Sequence, residues 1–185
     1  MSAKRRTTKK PRTGPHATEG PSGERASSVK LRRTERRYEF ELVHPACARE
    51  RADDLEEVHQ MIDGGESEIA VDELRWLLSG CADFIEAHQL LGELALTDGD
   101  TRLARAHFGY AYDIGLKALP SEAWAGALPF RLPGNRSFLT AAKGLALCLL
   151  EIGEPARARE VGQRLLRFDP SDPLRVGPWL EQLPK

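Results

Sequence analysis

Apolar residues recur every three or four positions from residue 48 onward, which is the spacing of helices with one buried face. Leu55, Val58 and Ile62, for example, lie on one side of a helix. Glycine, proline and acidic residues interrupt this pattern and predict turns. The predicted helices cover residues 48–63, 67–79, 83–97, 101–118, 138–152 and 155–168, and a short terminal helix lies near 174–183.

Two segments lack the helical pattern. Residues 38–44 alternate apolar and acidic side chains, which predicts an extended segment with one apolar face. Because no second strand-like run follows, we expect this segment to lie on the helical body rather than to join a sheet. Residues 120–137 carry three prolines and two glycines and predict a long connection between helices.

The predicted helices form pairs that repeat along the chain. Gly65 and Gly99 are 34 positions apart, and so are Ala70 and Ala104. Gly153 follows Gly99 by 54 positions, so 20 residues separate the second and third units. Each unit is one helix, a turn made of glycine and an acidic residue, and a second helix. Such a fixed period is typical of helical repeat proteins, in which neighbouring units share a core.

The repeat resembles the tetratricopeptide family, in which a 34-residue helix-turn-helix unit carries a Leu-Gly pair and an Ala-x₃-Phe pattern. Residues 85–118 match best: Leu91 and Gly92 form the Leu-Gly pair, and Ala104 and Phe108 form the second pattern. Small residues at these positions let two helices approach closely.

The resemblance implies an all-α fold, a right-handed α-solenoid of three helical hairpins. The expected organisation is a disordered basic tail at 1–37, a lead-in at 38–50 and a repeat domain at 51–185; within that domain, repeats cover 51–84, 85–118 and 139–172, an insertion covers 119–138, and a capping helix lies within 173–185. The resemblance also implies a non-catalytic scaffold or adaptor that binds another protein.

In this family the first helix of each repeat lines a concave groove. The implied groove residues are Leu55, His59, Ile62, Glu86, Gln89, Glu93, Lys143, Leu147 and Leu150. Family members that bind acidic chaperone tails need several cations there, whereas here Lys143 is the only cation and Glu86 and Glu93 are acidic. We therefore expect a basic or apolar partner segment. Two alternatives stay open: residues 38–44 cover the groove, or it is simply solvated.

The charge of the chain is divided unevenly. Residues 1–37 carry 12 lysines and arginines against three glutamates, while the remainder carries 15 basic and 25 acidic residues. Residues 1–28 are too poor in apolar side chains to fold on their own. The basic cluster of the tail comprises Lys4, Arg5, Arg6, Lys9, Lys10 and Arg12. Such a tail binds nucleic acid weakly and without sequence preference; the alternatives are a solubilising tail or one that docks on the acidic body.

The connection at 120–137 offers a second candidate contact. Trp124, Phe130 and Arg131 are the side-chain types that anchor protein partners. The alternative is that both aromatic side chains fold back onto the helices and form a small additional core.

No residue pattern predicts catalysis, a metal site or a cofactor, because the histidines and cysteines lack ligand spacing. Cys47, Cys81 and Cys148 do not predict a disulfide framework, and we expect small buried side chains in a reducing, cytoplasmic setting. No apolar run approaches the about 20 residues of a membrane-spanning helix. We also expect no signal peptide, since no large aliphatic or aromatic residue of an apolar core precedes Val29.

Overall fold

The computed structural model describes residues 28–121 and 124–183, and these fold mostly into helices. The described residues contain β1 (Lys30–Arg33), β2 (Phe40–Val43), α1 (Ala46–Arg49), α2 (Ala52–Asp63), α3 (Ser67–Gly80), α4 (Ile85–Thr97), α5 (Thr101–Lys117), α6 (Pro133–Glu151), α7 (Pro155–Phe168) and α8 (Val176–Glu181). The prediction of a mostly helical fold is confirmed, and α7 covers the predicted residues. The tail prediction for residues 1–27 lies outside the described residues.

Two predicted helix boundaries are wrong. The predicted helix at 48–63 is two helices, because the backbone leaves helical geometry at Arg51, between α1 and α2. The predicted connection to residue 137 ends earlier, since α6 begins at Pro133. Proline fits the first turn of a helix, where its missing N–H would have no partner within the helix. Pro133 therefore starts α6 instead of ending a loop.

The three helix pairs α2–α3, α4–α5 and α6–α7 are joined by equivalent turns. Gly65, Gly99 and Gly153 have φ of 79°, 78° and 82°. Each glycine N–H donates to the carbonyl three residues earlier, at 3.0 Å, and the next N–H donates to the carbonyl five residues before it, at 2.8 Å. This is the Schellman arrangement, which satisfies the last carbonyls of a helix and favours glycine at the left-handed position. The periodic glycines therefore occupy the same position in each pair.

Close helix contacts surround the ring of Phe108 on α5. A Cβ at Gly92 on α4 would lie 2.6 Å from this ring, and a Cβ at Gly144 on α6 would lie 2.7 Å from it. Phe108 is 1% exposed. Only a residue without a side chain lets both helices approach the ring so closely. Phe108 therefore joins the second helix pair to the first helix of the third.

The buried residues form two cores that meet at α4. The N-terminal core contains α1 to α3 and one side of α4, with Val58, Leu74 and Leu77 fully buried. The C-terminal core contains the strands, the other side of α4, and α5 to α8. Leu180 of α8, the last helix, belongs to this second core.

The prediction that residues 38–44 stay outside a sheet is wrong. β2 pairs with β1 in antiparallel register, with Lys30 opposite Val43 and Arg33 opposite Phe40. β1 was missed because its sequence, KLRR, is mostly charged and shows no buried face of its own. The described end of the predicted basic tail, from residue 28 to residue 37, is thus part of the fold, and Val29 is buried.

The antiparallel strands β1 and β2 form the β1–β2 hairpin. The side chain of Asn135, near the start of α6, holds this hairpin on the helices. Asn135 is fully buried. Its Nδ2 donates to the carbonyls of Phe40 and Pro129, at 3.0 and 3.1 Å, and its Oδ1 accepts from the N–H of Leu42 at 2.9 Å. Since buried polar groups without partners are costly, this amide fixes the hairpin against α6.

The prediction for two of the cysteines is also wrong. Cys47 and Cys81 form a disulfide, with a Cα–Cα distance of 5.6 Å, and Cys148 is free and buried. The two cysteines are 34 residues apart in sequence, and the packing of α1 against the end of α3 brings them together. A disulfide is unusual in a reducing compartment, so this pair does not support the expected reducing setting.

Candidate interaction surface

The nine implied groove residues lie on the first helices of the three pairs. Three lie on each of α2, α4 and α6, and we call this set the first-helix face. α4 contacts α6, and α2 shares the N-terminal core with α4. Leu55 and Gln89 are buried, and Ile62 and Leu150 are partly buried against the cores. The structure thus places the nine predicted residues on α2, α4 and α6, which follow one another in space. Four of them pack wholly or partly in the interior.

The part of the first-helix face on α2 and α4 is polar and acidic. Nε2 of His59 lies 3.5 Å from Oε1 of Glu86, and both side chains are about two-fifths exposed, at 41% and 39%. Burial raises the pKa of Glu93, while a hydrogen bond from Gln89 acts in the opposite direction. Two carboxylates near one histidine leave an acidic surface, which attracts a cation from a partner.

The part of the first-helix face on α6 is apolar. Leu147 is 41% exposed. Together with Lys143, it lines a cavity of about 300 Å³ whose walls also include Leu165, Leu174 and Trp179. An opening of this size, with mostly apolar walls and two cations, Lys143 and Arg175, among its lining residues, suits an apolar side chain of a partner.

The segment at 38–44 is fastened to the first turn of α6. Its N–H and C=O groups bond Asn135 and Ala127, and Nε2 of His44 lies 2.9 Å from the carbonyl oxygen of Gly134. Lys143 and Leu147 lie about two and three turns further along α6. These hydrogen bonds therefore hold the segment at one end of α6, away from the two side chains that line the apolar cavity.

The three predicted loop residues are all engaged with neighbouring elements. The Trp124 ring packs edge-on against Phe40, with 5.0 Å between centroids. The N–H of Phe130 donates to Asp169 at 2.8 Å, and Arg131 forms an ion pair with Glu39. Leu128 donates to the carbonyl of Phe168 at 2.7 Å, which fastens the loop to the end of α7. Both aromatic side chains thus fold back onto the helices, as in the alternative, but they pack against the C-terminal core instead of forming a core of their own.

Two histidines form a further cluster on α4 and α5. Nδ1 of His88 lies 3.4 Å from Nδ1 of His107, and the His88 ring packs on Tyr110 with 4.6 Å between centroids. Burial lowers the pKa of His88 to about 4, and burial with the nearby Arg75 lowers that of His107. Both rings are therefore neutral at pH 7. In the part of the chain that the structure describes, no group of three or more His, Cys, Asp or Glu side chains could hold a metal ion.

Sequence reasoning missed the surface formed by the second helices. Ile69 and Trp76 on α3 are exposed, and so are Leu103 and Tyr110 on α5. Each α5 residue lies 34 positions after its α3 counterpart. The signal was present in the repeat, because exposed apolar residues recurring at one spacing occupy equivalent positions on successive units.

Comparison with models of known protein families and with curated proteins finds no match for this chain. Within the described ranges, no helix combines the length and apolar character needed to cross a membrane. The basic cluster at residues 4–12 lies in the part of the chain that the structure leaves out.

Proposed function

We propose that this chain is a tetratricopeptide-type scaffold, a right-handed α-solenoid of three hairpins, which binds a segment of a partner protein on its first-helix face. The equivalent turns at Gly65, Gly99 and Gly153 support the repeat, since each joins a helix pair with the same hydrogen bonds. The proposed role is non-catalytic: a preformed surface that receives an extended or helical segment.

The observation that carries this function is the division of one face into two kinds of surface. The acidic part, with Glu86 and Glu93, suits a lysine or arginine of the partner. The apolar cavity beside Leu147 suits an aliphatic or aromatic side chain of the same segment. A partner segment with both features gains specificity from their spacing as well as from its composition.

The test is affinity purification with charge reversal on this face. Glu86→Arg with Glu93→Arg should release the partner, because the reversed charges repel its cation. Glu56→Arg with Glu68→Arg is the matched control, since both residues are exposed on α2 and α3 and the change in net charge is the same. Quantitative mass spectrometry of the bound proteins compares the two variants with the wild type. Identical sets of bound proteins for all three would remove the first-helix face from the proposal.

A second function, tethering to nucleic acid through the basic tail, is supported by the seven lysines and arginines against two glutamates in residues 1–27. Deletion should stop at residue 27, because residues 28–43 form part of the fold. Fluorescence anisotropy with a DNA duplex should then show binding that weakens steeply with salt and disappears on deletion. Equal binding with and without the tail would contradict this second function.

A further inference from the structure

The exposed side of the second helices changes character from one end to the other. Two positions seven residues apart, and therefore on one side of a helix, carry Ile69 and Trp76 on α3. The equivalent positions carry Leu103 and Tyr110 on α5, and they become Arg157 and Arg164 on α7, 54 residues further on. We call these six residues the outer face. It is apolar on the first two units and cationic on the third.

A crevice between α5 and α7 lies where the two halves of the outer face meet. Its volume is about 410 Å³, and its walls include Arg105, Tyr110, Tyr112, Arg157 and Arg164. We call it the outer crevice. Leu145 and Leu149 of α6 also line it, but none of the nine residues of the first-helix face does, so the two sites are separate.

Two arginines in this crevice are free to bind a carboxylate. Arg105 and Arg164 are partly buried, yet neither lies within ion-pair distance of an acidic group among the described residues. Arg164 donates a long hydrogen bond to the Tyr112 hydroxyl, at 3.4 Å, whereas Arg157 is already paired with Glu154. A guanidinium without a carboxylate partner can still form two parallel hydrogen bonds to one.

The remaining walls favour a protein segment over nucleic acid. Asp113 and Glu160 also line the outer crevice, and they would repel a continuous run of phosphates. Tyr110 lines it at 47% exposure, and Leu103, at 42% exposure, lies seven residues earlier on the same side of α5. A segment with separate carboxylates and apolar side chains fits both features. We propose that the outer crevice binds an acidic segment of a partner protein, whose carboxylates pair with Arg105 and Arg164 and whose apolar side chains pack on Leu103 and Tyr110.

This surface goes beyond the proposed function, because it involves different residues and selects the opposite charge. The proposed function and the crevice proposal can therefore fail independently. Charge reversal at Glu86 and Glu93 leaves the outer crevice intact, and charge reversal at Arg105 and Arg164 leaves the first-helix face intact.

The test uses a phage-displayed library of random 12-residue peptides and the full-length chain. The library is first depleted on the Arg105→Glu, Arg164→Glu variant, which removes peptides that bind the basic tail or the first-helix face. It is then selected on the wild type. The recovered peptides should be enriched in Asp or Glu next to Leu, Phe or Trp. Recovery of basic peptides, or of none above background, would overturn the proposal.

Matched variants then measure the contribution of the crevice by fluorescence anisotropy with the most enriched peptide. Arg105→Glu with Arg164→Glu should weaken binding at least tenfold. The control, Arg33→Glu with Arg49→Glu, changes two exposed arginines by the same charge and should alter binding less than twofold. An equal loss in both would show that net charge alone attracts the peptide and would reject the crevice.

Two further measurements cover misfolding and nucleic acid. Arg105→Gln with Arg164→Gln removes the cations without introducing repulsion, and circular dichroism of each variant reports its fold. The Gln variant should also bind the peptide at least several-fold more weakly; unchanged binding in this folded variant would contradict the proposal.

A 12-nucleotide single strand is the competing probe. If it binds more tightly than the peptide and loses affinity with the crevice variant, the outer crevice is a nucleic-acid site instead.

Discussion

The two ends of the helical stack are closed in different ways. At the N-terminal end, the short α1 is bonded to the residue after α3 through the disulfide Cys47–Cys81, over a small core. At the C-terminal end, the β1–β2 hairpin, the connection before α6 and the last helix, α8, all contribute to a larger core. A covalent link thus serves the end with less apolar surface to bury, as in other small cores. The two ends also differ in charge. Residues 46–80 contain ten acidic and three basic residues, whereas residues 133–168 contain three acidic and six basic residues.

The largest expected effect comes from Phe108, whose ring packs between α4 and α6 in the C-terminal core. Phe108→Ala should lower the free energy of unfolding by about 3–5 kcal/mol, because it leaves a cavity between α4 and α6 that the fixed helices cannot fill. Chemical denaturation followed by circular dichroism measures this change. A loss below 1 kcal/mol would contradict its central position in the C-terminal core.

The second prediction concerns the N-terminal end alone. Cys47→Ser with Cys81→Ser should lower the free energy of unfolding by about 2–4 kcal/mol, since the open chain gains conformational freedom when unfolded. Hydrogen exchange should accelerate in α1 to α3 and stay slow in α6 and α7. A reducing agent should destabilise the wild type and leave the variant unchanged. Titration of three free thiols instead of one in the denatured, unreduced wild type would show that the disulfide is absent.

The third prediction concerns the C-terminal end. Asn135→Ala should cost about 1–3 kcal/mol, because the N–H of Leu42 and the carbonyls of Phe40 and Pro129 lose a buried partner. Hydrogen exchange should then accelerate across residues 30–43. It should stay unchanged in α1 to α3, and only residues 44 and 45, which connect β2 to α1, should also be affected. Exchange that accelerates equally at both ends would contradict the separation of the two closures.

The smallest expected effect depends on pH and lies between the two ends. The pKa of His88 is about 4 in the folded protein, below the usual 6.5, because burial disfavours the charged ring. The unfolded chain therefore binds a proton more readily, so stability is full above pH 6.5 and decreases as the pH falls toward 4. The loss should be about 1–2 kcal/mol. His88→Phe should flatten this dependence in denaturation curves; an unchanged slope would assign the effect to other groups.

The sequence predicted the helical pairs because their signals are local. Apolar spacing and the glycines at 65, 99 and 153 act within a few residues, and the structure has the predicted turns. β1 could not be predicted, since KLRR is paired only through contact with a segment ten residues later. Pro133 is compatible with both a loop and the start of a helix. The packing of β2 on α6, where the N–H of Gly134 donates to Glu41, favours the helix start.

The surfaces were predictable to different degrees. The first-helix residues followed from the resemblance, and the structure places them on adjacent helices. Their exposure did not follow: Leu55 and Gln89 are buried because neighbouring helices pack on them. The disulfide did not follow from the spacing, since Cys47 lies before the first predicted repeat and meets Cys81 only through the packing of α1 against the end of α3.

The hairpin fixes how many units this protein can have. In open repeat arrays, duplication adds a unit at little cost because each unit touches only its neighbours. Here β2 rests on α6 of the last pair and ends at Val43, while α1, which the disulfide joins to the end of the first pair, begins at Ala46, so two residues link β2 to α1. Any duplicated pair inserted between the first and last pairs would move β2 and α1 apart by the width of two helices. Tandem duplication of a helix pair is therefore compatible with this fold only if that two-residue link becomes longer at the same time.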